Sequence, residues 1–148
     1  MFGLLKKKNV ATNVDLSSTD TIEVLKTLAS RTANKLNLDA QELKSGLFGS
    51  TAAGTNQIVA GRVLITHTTS SEIKEATGMI ITFSKFIPWN DDASNRVDYA
   101  VVLVMPTADD NADALTQKAA ATVSAHLNQL DEWRDSSSDL NKLLHEII

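Results

Sequence analysis

A chain of 148 residues, 43% apolar and 22% charged, has the size and composition of one globular domain. The absence of cysteine excludes disulfide scaffolds, thiolate metal sites and cysteine nucleophiles, and the net charge of -4 offers no cationic field for a nucleic-acid backbone. No apolar run nears the roughly 20 residues that a membrane-spanning helix requires.

The chain starts with "MFGLLKKKNV", in which the charges follow a short apolar run, the wrong order for a secretory signal. Phe2, Leu4, Leu5 and the lysines could touch an anionic membrane surface, but a frayed terminus is the simpler expectation. Residues 1–13 are therefore read as a flexible segment and 14–148 as the domain, in a cytoplasmic protein. Asp20 and Glu23 have the spacing of a capping box, and Ile22, Leu25, Leu28, Ala29, Ala33 and Leu36 recur at helical period behind them. Asp39 and Glu42 repeat the signal for a shorter helix carrying Leu43, Leu47 and Phe48, with Gly49 placed to stop it.

The middle of the chain changes period. "QIVA", "RVLIT", "GMIITFS" and "VDYAVVLVMP" are short, β-branched and bounded by turn residues, as strands are. The last is apolar almost throughout, which predicts a strand covered on both faces and ended by Pro106. A long helix from about Asn111 to Leu130 follows. The cluster "DEWRD" reads as a solvated connection, and Ser138 as the cap of a final helix bearing Leu140, Leu143, Leu144, Ile147 and Ile148. Helices, strands and helices in that order predict an α/β fold with α+β-like element order: a three-layer helix/sheet/helix sandwich around a mixed β-sheet.

The strand "GRVLITH" runs into hydroxyls: five of the six residues from Thr66 to Ser71 are Thr or Ser, and the sixth is His67. One reading is a strand-end histidine satisfied by nearby hydroxyls. The other is a nucleophile. An imidazole titrating near 6.5 keeps a neutral nitrogen at cellular pH, and a neutral nitrogen attacks phosphorus. Thr66, Thr68, Thr69 and Ser70 would then donate to the phosphoryl oxygens. "GSTAAGTN", Gly49 to Asn56, has the glycine spacing of a P-loop but Thr55-Asn56 where Lys-Ser/Thr belongs, so nucleotide binding is rejected. It fits better as a small-residue loop giving backbone access to His67, or as a plain surface loop. His126 and His145 lack metal-ligand spacing, there is no G-x-S-x-G elbow, and no metal or cofactor is expected. Trp89, after Pro88, suits either a core cap or the rim of a recognition surface.

The ordered pieces resemble the enzyme IIA domain of the fructose/mannitol class of the bacterial phosphoenolpyruvate-dependent sugar phosphotransferase system. A helical pair, a glycine-containing loop, "GRVLITH" in place of a strand of the type G-x-A-I-P-H, "GMIITF", Pro88-Trp89, "YAVVLVMP" and two more helices cover the chain from about Val14 to its end. The resemblance implies a phosphocarrier whose histidine, here His67, accepts a phosphoryl group from HPr and passes it to a IIB domain. It also implies a mixed sheet between helices. The sequence departs from the family pattern at three points. Thr66 replaces the proline before the histidine. Gly49-Ser50-Thr51 stand where an arginine is usual. "DDNADAL" lacks a second histidine. Arg62 is the candidate to replace the missing positive charge. Slow transfer would suit a regulatory IIA-like module that binds a partner protein, which is the alternative reading. A small-molecule binding domain of similar architecture is a third.

Overall fold

The computed structural model describes residues 8–109 and 111–148, with elements in the order β1 (Val10–Val14), α1 (Thr21–Leu36), α2 (Ala40–Ala52), β2 (Gln57–Val59), β3 (Val63–Ser70), β4 (Thr77–Ile87), β5 (Val97–Pro106), α3 (Ala112–Ala125), α4 (Leu130–Trp133) and α5 (Ser137–Ile147). Membrane contact by Phe2, Leu4 and Leu5 falls outside the described residues. The five strands form one mixed sheet in the order β1-β4-β5-β3-β2. β1 runs parallel to β4 and β3 parallel to β5, while the β4/β5 and β2/β3 pairs are antiparallel.

The sheet separates two apolar layers. On one face Leu64, Met79, Ile81, Ala100, Val102 and Val104 meet Val24, Leu25, Leu28, Leu43 and Leu47 of α1 and α2. On the other, Val63, Ile65, Tyr99, Val101, Leu103 and Met105 meet Ala119, Val123, Leu140, Leu143 and Ile147 of α3 and α5. Alternate residues of each strand therefore serve opposite cores, as a period of two requires. β5 lies between, buried from Val97 to Met105, and its apolar run from Tyr99 to Met105 reflects cover on both sides. The three-layer helix/sheet/helix sandwich predicted from element order is the observed fold.

Several local expectations are corrected. The N-terminal segment joins the domain earlier than Val14. β1 pairs with β4 from Val10 onward, Lys8 Nζ donates to Ser138 Oγ at 2.9 Å, and the Asn13 amide donates to Thr82 Oγ1 at 2.9 Å. Asp20 precedes α1 but makes no side-chain cap, so that capping box is not formed. Asp39 does cap α2, accepting from the Gln41 amide at 3.0 Å, whereas Glu42 accepts from the amide and hydroxyl of Ser71. Gly49 lies inside α2, which continues to Ala52. Ser136, not Ser138, caps α5. The long C-terminal helix ends at Ala125, short of Leu130.

Two glycines are fixed by geometry. Ala60 and Gly61 both take positive φ, 54° and 65°, and Arg62 N–H returns to the Val59 carbonyl at 2.9 Å. That tight turn lies within the three-residue connection from Ala60 to Arg62, after which Val59 pairs with Val63 and β3 begins. Gly46 allows α2 to touch β3: a Cβ there would lie 1.9 Å from Thr68 Oγ1.

The connection "DEWRD" is not simply solvated. Asp98, the second residue of β5, is 1% exposed and receives Arg62 Nε at 2.9 Å and Nη2 at 3.2 Å. Arg134 donates to the same carboxylate and to the Phe83 carbonyl. Arg62 also reaches Asp131 at 2.5 Å, and Tyr99 donates its hydroxyl to the Leu130 carbonyl at 2.5 Å. A buried carboxylate thus ties the starts of β3 and β5 to the segment around α4.

Candidate functional site

His67 lies on β3 opposite Leu103 of β5. The pairing of β2 ends at Gln57 with Ile65, so beyond Ile65 the outer edge of β3 has no strand beside it. The loop following α2 comes to that edge instead. Its Thr55 is held by two bonds to the Ser50 carbonyl, from the backbone N–H at 3.1 Å and from Oγ1 at 3.0 Å. Asn56 Nδ2 donates to Thr51 Oγ1 at 2.8 Å, closing the loop on the helix end. Thr55 Oγ1 then stands 2.9 Å from His67 Nε2. The loop reaches His67 through a side chain, Thr55, and not through the backbone amides expected of it.

The ring is half-buried. Burial pushes its pKa below the ordinary histidine value, and the carboxylate of Asp113, in the first turn of α3, opposes that shift. Asp113 falls within "DDNADAL", the stretch in which a second histidine was sought. Neutral imidazole is therefore favoured near pH 7, the form that acts as a nucleophile.

Alternation along β3 divides the other candidate residues. Thr69 shares the face of His67 and is partly exposed. Thr66, Thr68 and Ser70 project to the opposite face and are buried. Thr66 Oγ1 lies 3.4 Å from Ser50 Oγ, Thr68 Oγ1 donates to the Leu43 carbonyl at 3.0 Å, and Ser70 Oγ accepts the Glu72 amide at 3.1 Å. These three hydroxyls bind the strand to α2 and to the following turn, so they are not donors beside His67. Arg62 is corrected in the same way. It stands five residues earlier on the chain, roughly 16 Å away in extended backbone, and is committed to Asp98 and Asp131.

Sequence reasoning passed over Thr55 as a side chain because it gave this loop a role only through its backbone. The signal was present: a hydroxyl residue where a helix end returns toward a strand. Trp89 is 2% exposed and completes the core on the α1/α2 side, which settles the first of its two readings. Its edge also lines a small cleft of about 140 Å³ with Thr51, Gly54, Asn56, Ile58 and Asn90. His126 bonds Gln129 and Glu146, and among the described residues no group of His, Asp and Glu could hold a metal ion. No helix among them is long and apolar enough to cross a membrane.

Residues 3–138 match the family model described as "Phosphoenolpyruvate-dependent sugar phosphotransferase system, EIIA 2". Among solved structures the chain is similar to nitrogen regulatory protein IIA-Ntr from Neisseria meningitidis, with a TM-score of 0.68, 16% identity and 94% of each chain covered. It is also similar to a putative PTS IIA domain from Streptococcus pyogenes M1 GAS, with a TM-score of 0.65 and 10% identity over 99% of this chain and 95% of that one. At these identities the two structures bear on the fold alone. No curated protein sequence matches the chain.

Proposed function

The chain belongs to the EIIA 2 family of the phosphoenolpyruvate-dependent sugar phosphotransferase system, and on that premise we propose that it is a histidine phosphocarrier in which His67 accepts the phosphoryl group. The observation that carries this reading is a half-buried imidazole, biased toward its neutral form, on a strand edge that no neighbouring strand covers. The ring nitrogen attacks the phosphorus of a phosphohistidine donor. The donor's N–P bond breaks, its electron pair stays on the donor nitrogen, and a new N–P bond forms on His67. Thr55 and Thr69 are the hydroxyls on the correct side to meet the phosphoryl oxygens. The donor is HPr and the acceptor a IIB domain of the fructose/mannitol class, in the cytoplasm of a bacterium.

The test is direct. Incubation with phosphoenolpyruvate, enzyme I and HPr adds one acid-labile phosphoryl group to the chain, and His67→Ala abolishes it. An unmodified wild-type mass overturns the reading for these partners.

A second reading, a regulatory IIA-type module, has its own support. The charge acting on His67 among the described residues is the carboxylate of Asp113, which repels an incoming phosphoryl group, and Arg62 is engaged elsewhere. An arginine on a transferring phosphoryl group can accelerate transfer by about 10³-fold or more in other enzymes, so transfer without one is slow. One of the similar structures is itself a nitrogen regulatory protein. Slow acceptance with no rapid relay to a IIB domain would favour this second reading.

A further inference from the structure

The geometry points to Nδ1 of His67 as the atom that accepts phosphorus, with Thr55 assigning it that role by engaging the proton of Nε2 in a fixed chain: Nε2–H to Thr55 Oγ1, and Thr55 Oγ1–H to the Ser50 carbonyl. This assignment rests on His67 being the acceptor and names the nitrogen that reacts. Of the two hydroxyls on that face, Thr55 is then engaged by the ring, and Thr69 remains for the phosphoryl oxygens.

A threonine hydroxyl has one hydrogen and two lone pairs. Two contacts converge on Thr55 Oγ1, the Ser50 carbonyl at 3.0 Å and His67 Nε2 at 2.9 Å. A carbonyl oxygen only accepts, so its contact is a bond only when the hydroxyl hydrogen lies on it. Turned to Nε2, that hydrogen would leave two oxygens facing each other lone pair to lone pair. With the hydrogen on the carbonyl, Nε2 faces an oxygen lone pair and brings its own proton. Only this arrangement makes hydrogen bonds of both contacts.

A neutral imidazole holds one proton, so the bare lone pair is on Nδ1. Nδ1 has no partner among the described residues. Nor is it one of the two buried side-chain atoms left without one, Thr32 Oγ1 and Thr116 Oγ1, so solvent reaches it. Nε2 is closed off by an oxygen at 2.9 Å, and phosphorus bonded there would have to displace Thr55. That residue is anchored: its backbone N–H donates to the Ser50 carbonyl at 3.1 Å, and Asn56 Nδ2 holds Thr51 Oγ1 at 2.8 Å.

The transfer balances on this assignment. The Nδ1 pair forms the bond to phosphorus, the donor's N–P bond breaks with its pair on the donor nitrogen, and Nε2 keeps its proton. The ring becomes cationic as the bond forms, so the Nε2–H bond to Thr55 turns charge-assisted and strengthens. A helix terminus thus closes one nitrogen and steadies attack by the other.

The experiment reads which nitrogen carries phosphorus. Uniformly ¹⁵N-labelled protein is treated with phosphoenolpyruvate, enzyme I and HPr, or with phosphoramidate as a small N–P donor, and the isomer at His67 is read from nitrogen shifts and ³¹P–¹⁵N couplings. Wild type and Thr55→Ser are expected to give Nδ1-phosphohistidine and, before treatment and above the titration of the ring, the Nε2–H tautomer. Thr55→Val keeps the bulk beside Nε2 without the hydroxyl; it is expected to give the Nδ1 isomer roughly tenfold more slowly, the effect of one hydrogen bond. Thr55→Ala uncovers Nε2, and the Nε2 isomer is expected to appear beside the other. The ring of His126, bonded to Gln129 and Glu146, serves as the folding control. Nε2-phosphohistidine in wild type, or an Nδ1–H tautomer there, overturns the assignment and leaves His67 as the acceptor. If the variants do not fold, the wild-type isomer and tautomer decide. A chain that neither donor phosphorylates removes His67 as the acceptor, and the assignment with it.

Discussion

A single imidazole carries the chemistry, and its acid–base position has a measurable sign. Burial lowers the pKa of His67 and Asp113 opposes that shift, so protonation, which blocks the nucleophile, sets in below the ordinary histidine range near 6.5. Acceptance of phosphoryl from a common donor is expected to hold level from pH 8 to about 6.5 and to fall only at lower pH. Asp113→Asn removes the group that favours the charged ring, so its decline begins at lower pH than in wild type. Initial rates for the two proteins, taken with the same donor at each pH, cancel the donor's own titration. Coincident profiles would deny Asp113 this influence. His67 itself was legible in the sequence because it ends an apolar run among hydroxyls. Its neighbours were not. Thr66, Thr68, Thr69 and Ser70 look alike in one dimension, and only the pleat separates Thr69 from Thr66 and Thr68, which serve α2, and Ser70, which serves the following turn.

At the scale of elements, periodicity found what it could. α1, α2 and the strands from β2 to β5 follow from spacing and β-branched runs, and β5 is buried along its length as its composition required. β1 escaped because "VATNV" is short, and its register shifts around Asn13, whose φ is 53°. One half of a capping box was lost to a competing partner, since Glu42 accepts from Ser71 instead. The glycines of α2 show how far local signals reach. Gly49 looked like a stop signal but faces open space within the helix, while Gly46 is the one that matters to packing. Gly46→Ala forces a Cβ onto Thr68, and overpacking costs about 1–3 kcal/mol against roughly 1 kcal/mol gained in helix propensity. A net loss of up to about 2 kcal/mol in urea unfolding is expected, whereas Gly49→Ala, with no such contact, should be neutral or gain up to about 1 kcal/mol. Equal effects at the two positions would contradict the close approach of α2 to β3.

Across the whole molecule, the end of the sheet remote from His67 is bound by charge. Asp98 is buried, and the side chains of its partners Arg62 and Arg134 are 23% and 24% exposed. Removing one member of such a cluster leaves the others dehydrated and unpaired. Asp98→Ala is expected to cost about 3–5 kcal/mol. Asp131→Asn touches a carboxylate that is 88% exposed and should cost under about 1 kcal/mol, measured in the same urea titration. Comparable losses would show that the buried carboxylate is not the anchor. Sequence reading placed Arg62 near the histidine because strand neighbours are close along the chain. It could not see that Asp98 and Arg134, 36 residues apart, meet at the opposite end.

The two rims of this sheet have a consequence for life in a crowded solution. β2 is three residues long, and β1 is five residues broken by a register shift. A second copy seeking backbone partners would find little straight ladder to extend on β1 or β2, and the free edge of β3 beyond Ile65 is approached by the loop after α2. Brevity on one side and a bend on the other discourage folded copies from stacking into fibres.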